Sequence, residues 1–325
     1  MPKSPAIKPS APVIVIGGAN MDLKCRIDGA GIMATSNPGA ISFMPGGVGR
    51  NVAETLARLG LPTALIAAIG RDGMGDALIT GTKAAGVDMT MILRGRFPTG
   101  SYAATLTRDG ELMIGVAAMQ ATRRLTPAVL KSHAHKLRRA RLIVADCNLP
   151  LGSLDWLMGF AAKAGVPLAI ETVSVPKVKR LRPVLQKRRP VFALFSNRAE
   201  MAAIAGKNAS SRQGLASSAR WLHDRGVRHV AINLGSKGMY VSAANEKRGT
   251  VVPSRRARIR DVTGAGDGAV AGTLFGLLRG FDLTCAADCG QATAARTVAS
   301  EYSVSPKIAA GAILKCISKK HASRR

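Results

Sequence analysis

The sequence predicts an α/β fold, in which a mainly parallel sheet is covered by helices and carries a small antiparallel layer. Three observations predict it. An amphipathic segment, a glycine and a β-branched run recur along the chain. Those runs are apolar throughout, as in strands buried on both faces. Two other stretches alternate with a period of two instead. The chain has 325 residues, 47% of them hydrophobic, enough for the core of one large domain or two ordinary ones. Whole-chain disorder is excluded on the same grounds.

The elements follow in order. Residues 1–11, with Pro2, Pro5 and Pro9, are expected to form a loose tail. Val13-Ile14-Val15-Ile16 runs at once into Gly17-Gly18-Ala19-Asn20 and Asp22 with no convincing cleavage pattern, so a first strand is expected there and not a signal peptide. Residues 21–45 and about 90–117 break the rhythm with short alternating segments. In the second, Tyr102–Thr107 and Glu111–Val116 flank Arg108-Asp109-Gly110, a hairpin signal. The two stretches together are expected to form the antiparallel layer, as a lid or a subunit contact.

Helix-to-strand units are predicted at Ala53–Leu59, Gly60 and Thr63–Ile69; at Leu154–Ala164, Gly165 and Val166–Ile170; and at Ala216–Arg225, Gly226 and His229–Leu234. A glycine just past a helix suits the left-handed residue that ends it, and repeated units of this kind imply a parallel sheet. No low-complexity linker interrupts residues 12–320, so one domain is expected, followed by a basic tail at 321–325.

Composition removes several classes. No apolar run reaches the ~18–20 residues that span a bilayer. The five cysteines are odd in number and lack CxxC spacing, which fits reduced thiols in a cytoplasm better than disulfides or zinc. Lys and Arg number 47 against 19 Asp and Glu, a formal charge of +28. That balance raises nucleic acid as a partner, a binding that would weaken steeply with salt. Aromatics are only 4%, and no RNP-like or zinc-finger spacing supports it. The basic residues concentrate in 112–145, 172–199 and 247–260, outside the motifs below. They are expected on the periphery.

The most informative segment is Asp261-Val262-Thr263-Gly264-Ala265-Gly266-Asp267, followed by a small-residue helix expected at Gly268–Leu278. Small residues at a loop-to-helix junction let successive amides converge, and the helix terminus adds partial positive charge, which makes an anion site. Asp267 in the first turn either favours the helix dipole or takes a proton from a hydroxyl that attacks a phosphoryl group. Pro45-Gly46-Gly47-Val48-Gly49-Arg50-Asn51 leads into a helix expected at Val52–Leu59. It is neither a Walker loop nor a dinucleotide fingerprint. Asn51 offers a donor and an acceptor to a polyhydroxy ligand, or caps a tight turn. Asn20 and Asp22 follow the first strand at its carboxyl end, where open α/β sheets bind ligands. Asn197 and Glu200 follow the apolar strand Val191–Phe195 at helical i, i+3 spacing. Gly235-Ser236-Lys237-Gly238 follows the strand at 231–234, with room for a nucleotide against the backbone.

In this order, from about residue 12 to 305, these motifs resemble the ribokinase-like (PfkB-type) carbohydrate kinase family. The resemblance implies a three-layer α/β/α sandwich with a β lid that often forms a dimer contact. It also implies transfer of the γ-phosphoryl group of ATP to a sugar or nucleoside hydroxyl. By that likeness Asp267 is the base, and the amides of Gly264, Ala265 and Gly266 form the anion hole. Asn20, Asp22, Gly46, Gly47 and Asn51 would hold the ribose. Glu200, with Asn197, would organise Mg²⁺ through water. Asn197, Asn233, Gly235, Ser236, Gly238 and Thr263 would line the ATP site. Asp261 and Thr263 fall where members that use a monovalent cation such as K⁺ place ligands. Ser36-Asn37-Pro38-Gly39, Val144–Asn148 and Val173-Ser174 with Lys177 resemble the branch that acts on pseudouridine, where Asn148, Glu171 and Lys177 would approach the substrate. Related members act instead on ribose, on inosine or adenosine, or on keto-deoxy sugars. Three positions depart from the family pattern: Glu171-Thr172 replaces Asp-Pro, Asn233 replaces Ser or Thr, and Ser196 replaces Pro.

Overall fold

The computed structural model describes residues 11–322. The expected tails at 1–11 and 321–325 lie mostly outside that range. The first strand, β1 (Val13–Ile16), is followed by β2 (Asn20–Ile27) and β3 (Gly39–Gly46), then by helix α1 (Val48–Arg58). The apolar run at 63–69 is divided at Ala67 into β4 (Thr63–Ile66) and β5 (Ala68–Gly70). Helix α2 (Gly73–Ala84) and the short strands β6 (Val87–Asp88) and β7 (Leu93–Gly95) lead to the hairpin β8 (Gly100–Leu106) and β9 (Leu112–Ala118). Gly110, at φ 90°, makes its turn, as the Asp-Gly signal predicts.

Short helices α3 (Pro127–Ser132) and α4 (Ala134–Leu137) precede β10 (Leu142–Asp146), α5 (Leu151–Ala164), β11 (Leu168–Glu171) and α6 (Val175–Leu185). Then come β12 (Val191–Asn197), α7 (Arg198–Ala205), α8 (Arg212–His223), β13 (Val227–Asn233), β14 (Met239–Ala243) and β15 (Thr250–Val252). Helices α9 (Ala265–Leu278), α10 (Leu283–Val298) and α11 (Ala310–Ala322) finish the chain. Gly165 and Gly226, each predicted past a helix, take φ of 66° and 89°.

The large sheet has the order β15-β14-β13-β12-β11-β10-β1-β4-β6 and is parallel except where β14 and β15 turn back. Apolar runs on its central strands divide residue by residue between two cores. Val13 and Val15 enter the layer of α1, α9 and α10, while Ile14 and Ile16 enter the layer of α5 to α8. Each such side chain contributes about 1.5–3 kcal/mol on burial, so strands this apolar are stable only between two helical layers. The result is the three-layer α/β/α sandwich that the sequence predicts.

The small sheet has the order β3-β2-β8-β9. Its outer pairs are antiparallel, and β2 meets β8 in parallel. Of the stretch 90–117, β7 stays apart and pairs with β5. Period two sorts the faces of the lid. Asn20, Asp22 and Lys24 share one side of β2, whereas Ile41 and Phe43 on β3 lie in register rows with Ile114 and Val116 on β9. Those four apolar side chains are exposed.

Candidate active site

Adjacent strands bring their carboxyl ends to one edge of the large sheet. Ile16 is level with Ala145, Asp146 with Glu171, Glu171 with Phe195, and Asn197 with Asn233. The chain order reverses at β1, which has β4 on one side and β10 on the other, and such a switch point opens a crevice for ligands.

The first glycine junction is buried and tightly tied. Gly47, at φ 94°, caps α1, and a Cβ there would come within 2.6 Å of the Gly18 carbonyl. The helix therefore starts at Val48, earlier than the expected Val52, and Asn51 lies in its first turn instead of in a loop. Asp146, only 2% exposed, accepts hydrogen bonds from the amides of Gly18 (2.7 Å), Gly49 (3.0 Å) and Asn148 (2.9 Å). Burial raises its pKa, against the pull of those bonds. Arg50 is also buried; it donates to the Gly46 carbonyl at 3.1 Å and contacts Glu54 and Asn51. Burial lowers the Arg50 pKa, while Glu54, Asp22 and Asp267 favour its charge.

On the lid, Asn20 donates to Asp22 Oδ1 at 2.6 Å, and both are buried. Burial lifts the Asp22 pKa, and Asn20, Arg50 and Lys24 pull it back. Gly46 lies against this pair because a Cβ there would collide with the Asp22 carboxylate. Across the crevice, Lys177 on α6 donates to Asn148 Oδ1, and the Asn148 amide lies beside Gly18. These two side chains therefore meet near the end of β1.

The second junction is the turn into α9, which begins at Ala265 instead of the expected Gly268. Gly264 caps it at φ 75°, and any Cβ there would strike the Ser303 carbonyl. Asp267 sits in the first turn, and Asn51 Nδ2 donates to its Oδ2 at 2.6 Å. The two helix N-termini thus meet through one hydrogen bond. Burial pushes the Asp267 carboxyl up to about 7; Asn51 lowers it, Asp146 raises it further, and Arg50 opposes that rise. A carboxyl that titrates near neutrality suits a general base. Asp261 accepts from the Thr263 amide at 2.8 Å and ion-pairs with Lys24 of the lid. Burial works to raise its pKa, but bonds from Lys24 and Thr263 outweigh burial and hold it low.

Asn197 is not helical, as the i, i+3 spacing suggested. It ends β12 and caps α7, so Glu200 turns back to it in a capping box. Asn197 Nδ2 donates to Glu200 Oε1 at 2.7 Å, and Thr172 Oγ1 donates to Oε2 at 2.6 Å. Glu171 Oε2, by contrast, is buried without a hydrogen-bond partner. Burial, then Asp267, Glu200 and Asp146, raise the Glu171 pKa well above its usual range. Among the described residues no three His, Cys, Asp or Glu side chains form a direct metal cage. The unpartnered Glu171 oxygen, close enough to Glu200 for their charges to repel, leaves carboxylate charge there that a cation would compensate. A monovalent cation at Asp261 does not fit, because the Lys24 ammonium is already there.

Toward the nucleotide side, the Asn233 amide faces Gly266, 3.7 Å from where a Cβ would be. Gly235 and Ser236 form an exposed turn, and the Ser236 carbonyl accepts from Ser254. Gly238 is buried against the Val252 carbonyl.

Sequence reasoning missed roles for Asp146, Arg50, Thr172 and Lys24. For Asp146 a signal was present, as a lone acid at the carboxyl end of the apolar strand Leu142–Asp146. For Arg50 the signal was the i, i+4 spacing to Glu54 and then Arg58. Nothing local announces Lys24.

The profile of the pfkB family carbohydrate kinases matches residues 10–309, and the chain belongs to that family. It is 32% identical to the pseudouridine kinase of Escherichia coli over 94% of this chain and 96% of that one. A carbohydrate kinase from Agrobacterium tumefaciens superposes with a TM-score of 0.81 at 29% identity, covering 95% of this chain and 97% of that one. Arabidopsis thaliana ribokinase, complexed with ribose and ATP, superposes with a TM-score of 0.83 at 22% identity, covering 95% and 99%. The chain is a sugar or nucleoside kinase of this family, a phosphotransferase with an alcohol acceptor. Among the described residues no helix is long and apolar enough to cross a membrane.

Proposed function

We propose that this protein transfers the γ-phosphoryl group of ATP to the 5′-hydroxyl of a nucleoside, pseudouridine above other acceptors, to yield pseudouridine 5′-phosphate and ADP. One observation carries the reading: Asp267 lies in the first turn of α9, beside the Gly264–Gly266 amides, where Asn51 donates to it and burial pushes its carboxyl up to about 7.

In this reading Asn20, Asp22, Gly46, Gly47 and Asn51 hold the ribose. The acceptor oxygen attacks the γ-phosphorus, its proton passes to Asp267, and the bond to ADP breaks. The amides of Gly264, Ala265 and Gly266 stabilise the charge that builds on the transferred group. Arg50, buried behind Asp22 and Asp267, keeps both carboxyls from being wholly neutralised by burial. Glu200, with Asn197, would hold Mg²⁺ through water, and Glu171, expected from the sequence to approach the substrate, is assigned to the same ion because its Oε2 is unengaged; when bound, that ion neutralises phosphate charge. Asn233, Gly235, Ser236, Gly238 and Thr263 border the nucleotide.

Identity to the E. coli pseudouridine kinase and the Asn148–Lys177 pair at the mouth support pseudouridine. The exposed apolar face of the lid is read as the seat of a second copy of the chain; gel filtration with light scattering checks this.

A panel of pseudouridine, uridine, inosine, adenosine and ribose, each with ATP and Mg²⁺, tests the substrate. Pseudouridine is expected to give the highest kcat/KM. A clear preference for ribose or adenosine overturns that specificity and leaves the family chemistry standing.

A further inference from the structure

Among the described residues, an ion pair joins the lid to the anion-binding turn. Lys24 lies on β2, on the same face as Asn20 and Asp22, and its ammonium contacts Asp261 Oδ2. Both partners are only about one-fifth exposed (18% and 22%), so the pair is shielded from salt far better than a surface bridge. The other oxygen, Asp261 Oδ1, accepts the Thr263 amide at 2.8 Å. That bond closes the turn whose next residues are Gly264, Ala265 and Gly266. The shape of the turn therefore depends on a carboxylate whose charge is balanced from a different sheet.

Charge balance is needed there. Asp261 and Asp22 repel each other, and Asp22 in turn repels Asp267. Left without a cation, the Asp261 carboxylate would be partly buried among like charges, an arrangement that costs free energy unless it is compensated. An ammonium group carries the same single charge as K⁺ and offers three N–H donors to the oxygens a bare ion would meet.

We infer that Lys24 acts as a built-in monovalent cation: a positioning residue that holds the 261–266 turn in its anion-binding shape, so that turnover needs no free K⁺. Because Lys24 arrives on the lid strand, the same contact makes the turn complete only when the strand bearing Asn20 and Asp22 is docked. The turnover arm of the test rests on the kinase reading above; the melting arm does not.

The full chain is assayed, with Mg²⁺ and N-methyl-D-glucamine as the only cations, for ADP release and for its melting temperature. KCl or NH₄Cl is then added at constant ionic strength. The parent is expected to be indifferent to K⁺ in both readouts. Lys24→Met is expected to lose turnover by about 10- to 100-fold without K⁺, the scale of a misplaced anion site. It should recover with K⁺ or NH₄⁺, and its melting temperature should rise with K⁺. Lys24→Arg should remain indifferent, and Lys24→Gln replaces the Met variant if the latter does not fold. A parent that requires K⁺ or is stabilised by it overturns the inference, as does a neutral Lys24 variant that ignores K⁺. A parent with no phosphoryl transfer under any cation breaks the kinase reading instead, while the melting arm still decides the role of Lys24.

Discussion

The two glycine junctions of this enzyme are built alike and held differently. Each ends in a glycine of positive φ, Gly47 or Gly264, and each opens a helix whose first turn carries a site residue, Asn51 or Asp267. The junction at Gly47 is locked from inside: Asp146 grips the amides of Gly18 and Gly49, and Arg50 ties the helix to Gly46 and Glu54. The junction at Gly264 is tied outward, through Asp261, to Lys24 of the lid. The Gly47 junction is therefore fixed by the core of the sandwich and, through Gly46 at the end of β3, by the lid as well, whereas the Gly264 junction is joined to the lid by the Lys24–Asp261 pair. In the proposed reading, preorganisation at the first would lower the cost of binding, and the lid contact at the second would let closure complete the site.

Substitutions can break this comparison. The largest effect is expected at Asp267, where Asp267→Asn should fold yet lose about 10²–10⁴-fold in kcat, the scale of a general base. Turnover close to the parent would remove Asp267 from that role. The same variant carries a stability signature. Burial raises the carboxyl in the folded state from its ordinary value of 3.8 to about 7. It costs nothing below pH 4, and it destabilises increasingly as pH rises to 7. Asp267→Asn should thus melt above the parent at pH 8, by about 2–4 °C, and level with it at pH 4.

Gly264→Ala comes next. A left-handed backbone costs a non-glycine residue about 1–2 kcal/mol, and its methyl meets the Ser303 carbonyl. Turnover should fall about 10²-fold with little change in the nucleoside KM. Asp146→Ala tests the other junction, because it leaves the amides of Gly18, Gly49 and Asn148 without their acceptor, at about 1–3 kcal/mol for each buried group. Melting should drop by roughly 5 °C or more, and the nucleoside KM should rise. If Asp146→Ala melts like the parent, the locked-junction account fails.

The smallest effect is a shift. Asn51→Ala removes a hydrogen bond that favours the charged form of Asp267, so the rise of kcat/KM near pH 7 should move to higher pH, by about 0.5–1 unit.

Much of the molecule was legible in the chain itself. Apolar strands such as Val13–Ile16 must be buried on both faces, and Gly165 ends α5 while Gly226 turns the chain from α8 into β13, because few other residues accept their backbone. Alternation in 100–118 and the Asp-Gly turn marked the lid hairpin. The motifs at 45–51 and 261–267 were visible because anion binding by backbone amides demands small residues at adjacent positions. Their helix starts were misjudged, since a glycine-rich first turn has low helix propensity and only packing against Gly17 and Ser303 settles it.

What sequence determined, then, is everything governed by neighbours along the chain: the layers, the lid hairpin, the two glycine junctions and the acids beside them. Tertiary structure alone decided which of those acids are tied and which are open. Asp146 meets Gly49 across 97 positions, Asn51 meets Asp267 across 216, and Lys24 meets Asp261 across 237. Glu200 on α7 is engaged by Thr172, just past β11, while Glu171 keeps an oxygen without a hydrogen-bond partner. Burial and long-range charge set these differences, and neither quantity is carried by any local stretch of residues.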